Sequence, residues 1–149
     1  MRVVTMAAVA VGLFGGAGGV AEADDGHAEQ VATDYAVGAA TCDYRDMDGC
    51  FARMKAGAAP ELAAKYDATR TEVEHVLVPL RWVSTASPIS SAVTAHDGSI
   101  YHVDVLLDVR TTNSQSSGPT DATVTYKITL DESLGWEITD VGGDALGAS

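Results

Sequence analysis

Three stretches of helical period come first in the chain, and then the period switches to two. Ala28, Val31, Ala32, Tyr35 and Ala39 recur at i, i+3, i+4, i+7 and i+11, which predicts a helix with one apolar stripe beginning after Asp24. Asp24 and Asp25 suit its N-terminus, where negative charge meets the positive end of the helix dipole. A shorter helix is predicted from about Asp46, which serves as its capping aspartate, with Met47, Cys50, Phe51 and Met54 as the buried face. Gly57 and Pro60 close it, and Gly49 weakens it by about 1 kcal/mol relative to alanine. The third helix, the longest expected, opens at Pro60, a residue tolerated in the first turn because its missing donor would be unpaired there. Leu62, Tyr66, Thr69, Val73, Val76, Leu77 and Leu80 form its stripe, and Pro79 ends it.

From Arg81 onward, alternation predicts strands. Val83, Thr85, Ile89, Val93 and Ala95 share one parity, with Pro88 marking a bulge or an edge position. Asp97-Gly98 is a two-residue hairpin signal. Tyr101, Val103, Val105, Leu107 and Val109 then point to the core, while His102, Asp104, Asp108 and Arg110 point out. Residues 111–121 read as a long polar hairpin loop. Val124, Tyr126, Ile128 and Leu130 make a third strand, and Trp136 and Ile138 begin a short fourth one, with Trp136 as a core anchor.

Helices first and strands afterwards give an α+β fold. The expected architecture is three N-terminal helices packed on a curved four-stranded antiparallel sheet, similar to the cone of the nuclear-transport-factor-2-like (NTF2-like) or cystatin-like class. The expected division is a leader over 1–23, the folded domain over 24–141 and a fraying tail over 142–149.

The leader has its own logic. Arg2 provides a positive start, Val3 to Val20 carries no charge, and Ala21-Glu22-Ala23 is a small-x-small cleavage site. Both a cleaved signal peptide and an uncleaved signal anchor fit, and either places the rest of the chain outside the cytoplasm, secreted or held at the cell envelope. The run Gly16-Ala17-Gly18-Gly19-Val20-Ala21 imitates a dinucleotide-binding turn but is expected to lack the preceding strand, the following helix and the distant acid that such a turn requires.

Composition narrows the partners. The formal net charge is -12 over 149 residues, which opposes nucleic acid and anionic lipid headgroups. Two cysteines, Cys42 and Cys50, are a candidate disulfide in an oxidising compartment; the alternative is two small core residues. No second Cys or His pair stands at zinc spacing, so no metal is expected, and no cofactor motif is present.

Two segments carry a family resemblance. Cys42-Asp43-Tyr44-Arg45-Asp46-Met47-Asp48 and Gly135-Trp136-Glu137-Ile138-Thr139-Asp140-Val141, in an order of leader, helices and sheet, resemble the Mce-associated proteins of actinobacteria. The resemblance implies an NTF2-like domain and a non-enzymatic accessory role beside Mce lipid-import systems. Its implied partners are envelope lipid-transport components or an apolar ligand, with membrane association through the N-terminal segment if that segment is retained. The usual basic cytoplasmic segment and Leu-rich membrane helix of that family are missing from this sequence. Read by themselves, Arg45 pairs with a neighbouring carboxylate and Asp46 caps a helix.

Catalysis is the competing class. Some cone folds, such as ketosteroid isomerases and SnoaL-type polyketide cyclases, set a carboxylate base and hydrogen-bond donors inside an apolar cavity. The candidates here are Tyr35, Asp43, Tyr66, His75, Tyr101 and Tyr126. The four tyrosines lie on core-facing stripes, and no Asp or Glu falls on an inward parity of the sheet. His102 and Asp104 share the outer face, too few ligands for a specific metal site. A non-catalytic binding or scaffolding domain is therefore the expectation.

Overall fold

A computed structural model describes residues 16–145 of the chain. The helices are α1 (Gly16–Ala39), α2 (Met47–Lys55) and α3 (Pro60–Leu77). The strands are β1 (Cys42–Asp43), β2 (Val83–Asp97), β3 (Ile100–Thr112), β4 (Thr120–Asp131) and β5 (Glu137–Gly143). The sheet is antiparallel throughout, in the order β1-β2-β3-β4-β5. It thus has five strands rather than the expected four. The extra one is two residues long, with Cys42 opposite Ser84 and Asp43 opposite Val83. So short a strand carries no period; pairing with β2 alone defines it, reinforced by Ser84 Oγ donating to the Ala40 carbonyl at 2.7 Å.

The three helices pack against the one curled sheet, as the α+β expectation requires. α1 is the longest helix at 24 residues, against 18 for α3, because it begins at Gly16. Asp24 and Asp25 consequently lie within α1 and not at its N-terminus, and the run from Gly16 to Gly19 is helical. Residues 1–15, most of the expected leader, lie outside the described part. No helix among the described residues is long and apolar enough to cross a membrane.

Small residues set the spacing of the layers. Ala28, Ala32 and Ala36 on α1 are completely buried, and alanines at that spacing let the helix axis approach the sheet closely. Against them stand Tyr101, Val103, Val105 and Leu107 of β3 and Tyr126, Ile128 and Leu130 of β4, all at most 2% exposed. α2 contributes Met47, Cys50, Phe51 and Met54, the four residues expected from its stripe. On α3, Leu62, Tyr66 and Leu77 are buried, while Val76 is exposed. The cysteines are joined as Cys42–Cys50, tying β1 to α2.

β2 departs most from its predicted pattern. Register shifts between Pro88 and Ser90 and between Val93 and Ala95 change which side chains face inward. Inward β3 residues oppose Ser84, Ala86, Pro88, Ser91, Val93 and His96, so a single parity over Val83 to Ala95 does not hold. Ile89 is 54% exposed. Each bulge inserts one residue, and an inserted residue flips every side chain beyond it.

The remaining connections follow local chemistry. Asp97 pairs with Ile100 across a turn whose Gly98 has φ 62°, as the hairpin signal requires. The polar loop is shorter than 111–121, because Thr111 pairs with Thr120 and Arg110 with Asp121. β5 continues to Gly143, beyond the expected limit of 141, and Asp144 still bonds to Thr125. At its other end Ile138 is bridged to Ala58, so the α2–α3 turn covers the start of β5.

Candidate functional site: the interior of the cone and its two recesses

An isomerase-like site would need an ionisable acid within the apolar interior. Among the described residues Ser84 and four tyrosines, Tyr35, Tyr66, Tyr101 and Tyr126, bring polar atoms into the core, and the Ser84 hydroxyl is engaged by Ala40. No Asp or Glu of the described residues is buried as a whole, although the Asp25 Oδ1 atom is closed to solvent.

The candidate residues scatter. Tyr35 and Tyr66 do come together: Tyr35 Oη donates to the Met54 carbonyl at 2.5 Å and lies 3.2 Å from Tyr66 Oη. Burial pushes both phenols above their ordinary value, Tyr35 much further, aided by its hydrogen bond to Tyr66. Both stay neutral, and the pair ties α1, α2 and α3 together. Asp43 lies apart from them in β1, where Arg45 holds it from Nε at 2.9 Å and from Nη2 at 2.7 Å. Those hydrogen bonds lower its carboxyl to about 2, so it is no proton acceptor at neutral pH. His75 is exposed on α3. Tyr126 lies on β4 facing a separate recess.

Tyr101 stands in an aromatic row at one end of the sheet. His96 stacks on it with centroids 3.8 Å apart, Trp136 lies 5.1 Å away on its other side, and His27 meets Trp136 edge-on at 4.8 Å. Burial raises the Tyr101 phenol, with Glu132, Asp24 and Asp25 adding to the effect. Its Oη and the Asp25 Oδ1 are both buried without a hydrogen-bond partner. Neither atom is therefore hydrogen-bonded to the other. Trp136 is half-buried with φ 67°, following Gly135 at φ 69°, so it packs on the rim of the core rather than at its centre.

The outer face binds its own charges. His102 Nδ1 meets Thr129 Oγ1 at 3.1 Å, and Asp104 pairs with Lys127 at 3.3 Å. No group of three or more metal-ligating side chains occurs among the described residues.

Among the recesses on the surface, two have predominantly apolar walls. One, of about 330 Å³, lies between α1, the α2–α3 turn and Trp136, with Asp34 and Arg53 at its edge. The other, of about 220 Å³, lies on the concave face of the sheet beyond the end of α1. Ala40, Trp82, Val109, Ala122 and Val124 make its apolar wall, and Asp144 stands at its margin. Sequence reasoning missed this cleft. The only local signal is Trp82 itself, a large amphipathic ring at a helix-to-strand junction.

No protein-family model matches the chain, and no curated protein matches it. Solved structures do. A periplasmic fragment of TraM superposes with TM-score 0.56 at 13% identity, covering 78% of this chain and 94% of that one. The periplasmic domain of DotI gives 0.58 at 15% identity, covering 80% and 95%. CagV, a VirB8 homolog of the T4SS from Helicobacter pylori strain 26695, gives 0.54 at 7% identity, covering 79% and 96%. At such identities the likeness is one of fold.

Proposed function

We propose that this chain is an extracytoplasmic, non-catalytic domain of a bacterial envelope assembly that binds or scaffolds other components. The observation that carries the reading is the interior: large, apolar and aromatic, with no Asp or Glu buried as a whole among the described residues. Proton transfer at carbon needs a base whose pKa is tuned by such a cavity; here Asp43 is held by Arg45, His75 is exposed, and the closed-off Asp25 oxygen makes no hydrogen bond to Tyr101. The Cys42–Cys50 bond fits an oxidising compartment. Two of the similar structures are described as periplasmic and the third as a T4SS component.

The assembly we favour is an Mce-type lipid-transport system, on the strength of the Cys42–Asp48 and Gly135–Val141 segments. A secretion-type assembly is the second reading, favoured by the shared fold. Crosslinking of the tagged full chain in intact cells, followed by mass spectrometry, separates them. Enrichment of Mce-type permease or solute-binding subunits supports the first, and enrichment of secretion-channel subunits overturns it in favour of the second. Alkylation of intact cells with a membrane-impermeant thiol reagent after mild reduction tests the compartment. Failure to label Cys42 and Cys50 there, with labelling after lysis, would place the domain in the cytoplasm and sink both.

A further inference from the structure

The two borders of the sheet are finished differently. β5 gives its outward groups at Ile138 to the α2–α3 turn: the Ile138 N–H donates to the Gly57 carbonyl at 2.9 Å, and its carbonyl accepts from Ala59 at 2.7 Å. The same strand carries Glu137 and Asp140. β2 is the other long border. β1 pairs with it only at Val83 and Ser84, so over residues 85–97 no strand lies on its outer side among the described residues. One outward group is taken, because the Val93 N–H donates to Glu29 Oε2 at 3.1 Å. Alternation along an antiparallel ladder turns the Ser91 N–H and carbonyl to the same side, where no second strand receives them.

Charge sets this border apart. Residues 82–95 include no Asp, Glu, Lys or Arg, in a chain of net charge -12. Folded proteins guard open strand edges with charges, prolines, bulges or a covering element. Within the strand only Pro88 and the two bulges act so, and Glu29 covers a single position. Ile89, the residue skipped between Pro88 and Ser90, stands 54% exposed.

We propose that the outer edge of β2, centred on residues 87–92, pairs antiparallel with the same edge of a second copy and joins two sheets across a twofold axis. Open N–H and C=O groups in a row call for another strand rather than a small ligand. Charge decides whose strand it is. Two copies at -12 repel each other over most of their surfaces. Along this run their strands meet without like charges set opposite one another, the arrangement that destabilises cross-strand pairs. A basic or acidic partner strand has no complementary charge here. A twofold contact uses up the edge of each copy, so pairing stops at the dimer. Pro88 and the bulges keep the paired run short, which makes the contact weak and reversible. The proposal does not depend on which envelope assembly the domain serves.

Sedimentation velocity of the full chain from about 10 µM to about 1 mM should show a monomer–dimer equilibrium. Amide hydrogen exchange at the two ends of that range should place the protection gained on β2. Ser90 is exposed on the outer face, opposite Leu106, so Ser90→Glu sets like charges across the axis. Ser91→Pro removes an outward N–H and leaves the β3 ladder alone. Each should weaken dimerisation by at least about tenfold with the Tm of the monomer unchanged; Ser90→Glu carries the test if the proline variant misfolds. A photocrosslinking p-benzoylphenylalanine in place of Ile89 should capture a second copy in intact cells. A monomer throughout the range, a dimer indifferent to Ser90→Glu, or protection gained away from β2 would each overturn the proposal. Capture of a different protein alone would overturn it too, and would assign the edge to that protein's strand.

Discussion

Asp46 Oδ1 accepts a 2.9 Å hydrogen bond from the Gly49 N–H, and a β-carbon on residue 49 would collide with that same carboxylate. Cap and glycine are one device. Read by propensity alone, Gly49 is a defect in α2; in the fold it is the space into which the cap folds. Gly49→Ala should therefore gain little or nothing, because about 1 kcal/mol of better helix propensity is offset by about 1 kcal/mol of lost cap. In an Asp46→Ala background the same change should stabilise by up to about 1 kcal/mol. Urea unfolding of the four-member cycle checks that the gain emerges only when the cap is absent.

The Cys42–Cys50 bond closes a short loop between β1 and α2. Replacing both cysteines with serine should cost about 2–3 kcal/mol by chain-entropy arguments. Thermal unfolding of the wild type with and without reductant should reproduce the same loss, and an unchanged Tm under full reduction would refute it.

Tyr35 holds the carbonyl of Met54 at the end of α2 inside the core. Tyr35→Phe keeps the ring and strands that carbonyl, at a cost of about 1–3 kcal/mol. Tyr66→Phe leaves the Met54 bond in place and should cost less. Denaturation midpoints of the two variants order them.

Arg45 lowers the Asp43 carboxyl from 3.8 to about 2 through its side-chain hydrogen bonds, then through its backbone N–H. A depressed carboxyl stabilises the fold above its ordinary value, and that contribution is lost as pH falls from near 4 toward 2. Asp121, held by Arg110, and Asp131, held by Ser133 and Ser99, are lowered as well and add to the same acid-side loss. Asp121 is exposed and Asp43 and Asp131 are partly exposed, so solvent screening keeps each contribution small. Arg45→Ala should return Asp43 toward 3.8, read directly by carboxyl ¹³C NMR titration.

Ile89 distinguishes the alternating pattern from the bulged strand. At 54% exposure, Ile89→Ser should change stability by no more than about 0.5 kcal/mol. Leu107→Ala, at 0% exposure, should cost about 2–5 kcal/mol. Equal losses in equilibrium unfolding would mean Ile89 is a core residue after all.

How much of this was legible in advance divides by range of interaction. The face of α2, the Asp46 cap, Pro60 opening α3, the hairpin at Asp97-Gly98 and the inward residues of β3 and β4 are local or strictly periodic. They appear where the sequence puts them. β1 was illegible because two residues carry no period. The inward face of β2 was misread because its bulges answer to β3. Tyr35 and Tyr66 were separately identified as core residues, but their meeting at Met54 O depends on how α1 crosses α2 and α3. Asp43 and His75, weighed as catalytic candidates, are at the surface and far from joining that pair in any acid–base arrangement.

The chain by itself determined the fold class and most of the core, since side-chain period and burial are coupled residue by residue along each element. Only the tertiary structure decided the fifth strand, the flipped half of β2 and the cleft beneath Trp82. Ala40, Trp82, Ala122 and Asp144 come from four separated segments, and no local pattern records that they meet. What brings them together is the packing of α1 over the sheet and two left-handed turns, at Arg81 and Gly143, whose value exists only in the folded state.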